Sequence, residues 1–84
     1  MDNEQAIKLA ERNKDIPTEV IEQDILDTEK EIETMEREAA GYRLIGDRMS
    51  YFRATARENG IEERKAFIKK LQTILSIRKE QEGK

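Results

Sequence analysis

The chain has 84 residues, with 16 basic and 19 acidic side chains, a net charge of −3, and neither cysteine nor histidine. That length fits one small domain, near the size at which a single core becomes marginal. The two missing residue types exclude a disulfide framework and the usual zinc ligands, and they remove the commonest general base at neutral pH.

Composition alone, 42% charged and 36% hydrophobic, leans toward disorder. The regular spacing of the apolar residues argues for an ordered, all-α chain instead. Charge is divided unevenly: residues 1–42 hold 13 acids and 5 bases, residues 43–84 hold 6 acids and 11 bases. Antiparallel elements that offset one another account for this most simply, and an acidic arm and a basic end with different partners is the sharper reading. No apolar run approaches membrane-spanning length, and the start "MDNEQAIKLAERNK" has no apolar signal-peptide core. The expectation is a cytoplasmic protein of a bacterial or virus-infected cell, without a membrane partner.

In chain order, residues 3–14 are expected to form a short helix with Ile7 and Ala10 on one face. A helix of that length is marginal in water and must dock or fray. Pro17 disfavours a helical Ile16 and suits the first turn of a new helix, for which Asp15 and Thr18 are candidate caps. From there Ile21, Ile25, Thr28, Ile32, Met35, Ala39 and Tyr42 follow at steps of four and three, a heptad seam. The spacing continues through Ile45, Met49, Phe52 and Ala56 with a single three-residue slip, which overwinds a coiled coil without ending it. The pattern therefore predicts one long helix over 18–58, kinked near 41–46 at its two glycines. Gly46–Asp47 is the better of the two places for a true turn.

Asn59–Gly60 is expected to stop that helix, with a last helix over 61–81 bearing Ile61, Phe67, Ile68, Leu71, Ile74, Leu75 and Ile77. The whole chain, 1–84, is then a single helical domain: a hairpin with a long kinked first helix, a shorter antiparallel second helix and a short N-terminal helix. The second helix, half as long as the first, would cover Tyr42 to Ala56 and leave Ile21, Ile25, Ile32 and Met35 open as an interaction seam. An open isoleucine stripe calls for a partner, most simply a second copy related by a twofold axis.

The segment "RMSYFRATAR" places Arg48, Arg53 and Arg57 beside Tyr51 and Phe52, with Arg43 just upstream. Arginine beside aromatics can hold phosphate or stack on single-stranded nucleic acid. On a helix these arginines diverge, and a pI near 5.1 is far from that of a nucleic-acid-binding domain. "ERKAFIKK" sets lysines beside apolar residues, but with acids on the same faces it reads as a solvated back face. Paired acids such as Glu29 and Glu33 sit on an exposed helix without a pocket, and "GYRLIG" has neither the strand nor the Lys-Ser/Thr of a phosphate loop.

The expected function is a non-enzymatic protein-interaction module: a self-associating helical hairpin that binds or occludes a protein partner, with no catalytic residues, cofactor or metal. In style the chain looks similar to small charged helical accessory proteins of phages and mobile elements. The alternative is a regulator or counter-defence protein of that phage or mobile-element type, binding nucleic acid or a nucleotide through the scattered arginines, which an oligomer could bring together.

Overall fold

The computed structural model describes residues 2–83, and its helices are α1 (Asn3–Arg12), α2 (Thr18–Ile45) and α3 (Arg48–Glu82). The described residues contain no strand, as the spacing of apolar residues predicts. Asp2 starts α1 by accepting a hydrogen bond from the backbone N–H of Gln5 at 2.8 Å, which satisfies one of the donors left over at a helix start. The helix ends at Asn13, whose side-chain amide donates back to the Leu9 carbonyl at 2.8 Å. Pro17 occupies the cap position of α2, and no side chain caps that helix. The caps expected from Asp15 and Thr18 are not formed, because the proline itself fixes the entry and the Thr18 hydroxyl is engaged elsewhere.

The expected helix over 18–58 divides at residues 46 and 47. Gly46 has φ +74°, the left-handed conformation that only glycine adopts without strain, and its N–H closes on the Tyr42 carbonyl. Asp47 then caps α3 by accepting from the Ser50 N–H at 2.7 Å. The chain reverses there, so the second helix of the pair is the longer one. Gly41 is an ordinary interior position of α2, with open space where a side chain would stand.

The expected stop at Asn59–Gly60 does not occur either; α3 runs through it. Gly60 serves close approach instead. A Cβ at this position would stand 2.5 Å from the Met35 methyl carbon, so the bare backbone lets the methionine seat against α3.

α2 and α3 pack along their lengths, and α1 packs chiefly on the far end of α3. The contacts Arg43–Glu58, Glu31–Arg64 and Thr18–Arg78 descend on α2 as they ascend on α3, so the two helices run antiparallel. The molecule is elongated, 56 × 24 × 17 Å. Its largest buried cluster is Ile21, Ile25, Leu71 and Ile74, with Leu9, Ile68 and Leu75 against it. Ala6, Ala10 and Ile77 form a second cluster under α1. Toward the turn the buried side chains become small: Ala39, Ser50 and Ala54.

Candidate functional site

The four seam residues nominated from sequence do not form an open surface. Ile21 is 1% exposed, Ile25 and Ile32 are buried, and Met35 is half-buried against Gly60. α3 fills the seam because it begins at residue 48 and is long enough to reach back along the whole of α2. No uncovered isoleucine arm exists, and the reason for expecting a second copy at this seam disappears with it.

The face that α3 presents to α2 carries Ser50, Ala54, Arg57, Ile61, Arg64, Ile68, Leu71, Leu75 and Arg78, again at steps of four and three. Three of these positions are arginines, and each is satisfied across the contact. Arg57 reaches Glu38 at 3.5 Å. Arg64 donates to Glu31 at 2.7 Å and to the Gly60 carbonyl at 3.2 Å. Arg78 donates to the Thr18 hydroxyl at 2.9 Å and to the carbonyls of Asn13 and Ile16 at 2.9 and 2.6 Å. The Arg78 guanidinium thereby binds the connection between α1 and α2 to the end of α3, through the backbone carbonyls of that connection. Sequence reasoning missed this role. The signal was the heptad register of Arg57, Arg64 and, two heptads on, Arg78, with Glu31 and Glu38 seven residues apart to match the first two.

The arginines nominated as anion contacts separate into two kinds. Arg43 donates from Nε to Glu58 at 2.8 Å, and its guanidinium lies over the Tyr51 ring at 5.2 Å. Arg57 pairs with Glu38 and lies 5.8 Å from the Tyr42 ring. These two are neutralised within the chain. Arg53 approaches the other side of the same contact, 5.8 Å from the Tyr42 ring. Among the described residues, neither Arg53 nor Arg48 makes an ion pair within 4 Å. The structure thus gathers Arg53 and Arg57 at Tyr42, which the divergence expected from sequence did not foresee, but it leaves only two of the four without an ion pair.

Those two stand in the segment where exposed large apolar side chains are densest. Around the α2–α3 turn, Leu44 is 89% exposed, Ile45 65%, Met49 61%, Tyr51 58% and Phe52 57%. Met49 and Phe52 precede Ile74 and Ile77 by 25 residues each. At 3.6 residues per turn that is close to seven full turns, so the two pairs lie on one face of α3. At Ile77 that face is covered by Ala6 and Ala10 of α1. At Met49, Phe52 and Ala56 it is bare. The sequence-derived seam ran through these same residues; they are periodic, as read, but the last helix does not cover them because they belong to it.

Asp47 is held below the ordinary aspartate range, chiefly by the Ser50 backbone N–H, then by the Ser50 side chain, with a smaller contribution from the Arg53 charge. The described residues hold no cluster of three or more acids that could take a metal ion, and no helix long and apolar enough to cross a membrane. Comparison with family models, with curated proteins and with solved structures finds no match to this chain.

Proposed function

We propose that the protein is a non-enzymatic interaction module that docks a helical segment of a protein partner on the turn end of its antiparallel helix pair. One observation carries this reading: the apolar face of α3 is covered at one end by α1 and bare at the other, at Met49, Phe52 and Ala56. A helix laid there would continue the layer that α1 begins. Recognition of this kind reads anchors at steps of three and four on an amphipathic helix. The mechanism is occlusion or bridging: the end where Ile21, Ile25, Leu71 and Ile74 bury together serves as the anchor, and the turn end holds the partner. The phosphate-binding alternative has less support, since Glu58 and Glu38 already neutralise Arg43 and Arg57.

The test is a titration of isotope-labelled protein with a synthetic amphipathic helix carrying a leucine stripe and glutamine flanks, followed by amide NMR. Shifts concentrated on residues 44–56 are expected. Shifts centred on Ile21 and Ile25, or none at millimolar peptide, would overturn the reading.

A further inference from the structure

Charge on the bare face narrows the partner. Arg48 and Arg53 are four residues before and three residues before Phe52 and Ala56 respectively, or one residue on either side of them: Arg48 adjoins Met49, and Arg53 adjoins Phe52. At 100° per residue they fall on opposite flanks of the stripe formed by Met49, Phe52 and Ala56. Of the four arginines near the turn, these are the two that no acid engages within 4 Å among the described residues, although the Arg53 charge acts on Asp47 from farther away. Elsewhere along α3 the pattern differs: Arg57 and Arg64 border the buried seam and are each matched by a glutamate of α2. A stripe bordered on both sides by unmatched guanidinium groups has a specific complement.

We infer that the partner is an acidic amphipathic helix, with an apolar stripe for Met49 and Phe52 and carboxylates on both of its flanks for Arg48 and Arg53. The inference rests on the docking reading above. A second copy presenting the same end is the wrong occupant, because it would set Arg48 and Arg53 against the same arginines, and like charges facing across an interface oppose association. The α2 helix of a second copy is acidic, but its own apolar seam is already filled by α3. Exposed charge pairs contribute modestly one by one, so their weight is in discrimination between partners and in the rate of encounter.

Three synthetic helices with one leucine stripe and glutamate, glutamine or lysine flanks separate the two levels of the argument. At low salt the glutamate peptide is expected to bind the intact protein about tenfold more tightly than the lysine peptide. The ratio should collapse in 1 M salt, where the screening length falls to about 3 Å. In R48E/R53E the preference should reverse while helicity and mass stay unchanged; R48E alone, which leaves the Arg53–Tyr42 contact in place, should reduce it. Equal binding of all three peptides would overturn the charge inference and leave the docking reading standing. Binding of none would overturn both. Doubled mass by light scattering, with residues 44–56 protected in the dimer, would assign the face to a second copy instead. Binding to phosphatidylserine vesicles without binding to the glutamate peptide would assign it to a lipid surface, and either result overturns the inference.

Discussion

The two ends of the molecule are built from the same helices by different means. Where α1 joins, the contact is apolar and large: Ile21, Ile25, Leu71 and Ile74 bury against one another, and Arg78 ties the α1–α2 connection across them. Toward the turn, the residues between the helices are Ala39, Ser50 and Ala54, and the flanks carry ion pairs such as Arg43–Glu58. Burying an isoleucine contributes about 1.5–3 kcal/mol, whereas a half-exposed ion pair contributes about 0–1 kcal/mol. The large apolar side chains of the turn end are on the outside. Buried apolar side chains are concentrated at one end and exposed ones at the other, the arrangement on which the docking proposal rests.

The strongest measurement of this contrast is a pair of truncations. Ile21→Ala should cost about 2–5 kcal/mol in chemical denaturation, since the side chain is fully enclosed and leaves a cavity. Phe52→Ala should cost under about 0.5 kcal/mol, as an exposed substitution away from any cap or network does, while abolishing docking of the glutamine-flanked peptide. Equal losses from the two variants would mean that Phe52 is buried in solution, and the contrast between the ends would be wrong.

The two glycines of the turn region give a smaller and oppositely signed pair. Gly46→Ala should destabilise by about 1–2 kcal/mol, because a side chain must enter the left-handed region. Gly41→Ala should stabilise by up to about 1 kcal/mol, since it restores helix propensity at a position with nothing within 4 Å. Melting temperatures that move in the same direction for both would contradict the placement of the turn.

The same glycines show what could be read in the sequence. The all-α class and the heptad face of α2 were legible, because each large residue of the Ile21–Tyr42 pattern has a buried or half-buried place against α3. The division into helices was not. The stripe Met49–Phe52–Ala56 is nearly in phase with that pattern, so continuity suggested one helix, whereas the true contact face of α3 alternates apolar residues with Arg57, Arg64 and Arg78. Arginine in a seam carries no hydrophobic signal; its pairing with Glu31 and Glu38 is visible only once the register is known. Asn59–Gly60 carries a strong local stop signal, and tertiary packing overrode it: Ala54 and Ile61 are buried on either side of it, and Arg64 pairs with Glu31 of α2, contacts that a continuous α3 supplies. The bare face at the turn follows from these same two points: with the turn at Gly46 and no stop at Gly60, Phe52 passes from covered seam to exposed surface.

The smallest expected effect is at Asp47, which starts α3 at the turn end. Its carboxylate accepts from the Ser50 N–H, and this bond, with the Ser50 side chain and the Arg53 charge, lowers its pKa in the folded chain. A group with a depressed folded pKa binds its proton less readily when folded than when unfolded. Its contribution to stability is therefore complete above the ordinary aspartate value, near 3.9, and is lost as pH falls through the lower, folded value. The Ser50 amide resonance reports the bond directly and should titrate with a midpoint below that ordinary value. Other carboxylates titrate in the same window, so the difference from Asp47→Asn isolates this one: asparagine also caps well but carries no titrating group. In the native chain, amide exchange in the first turn of α3 should quicken through the Ser50 midpoint, while Leu71 and Ile74 stay protected until the molecule unfolds as a whole. In Asp47→Asn that early loosening should be absent. A Ser50 midpoint at or above the ordinary aspartate value, or loosening of both ends of the molecule together, would show that the turn end is not held separately from the apolar cluster.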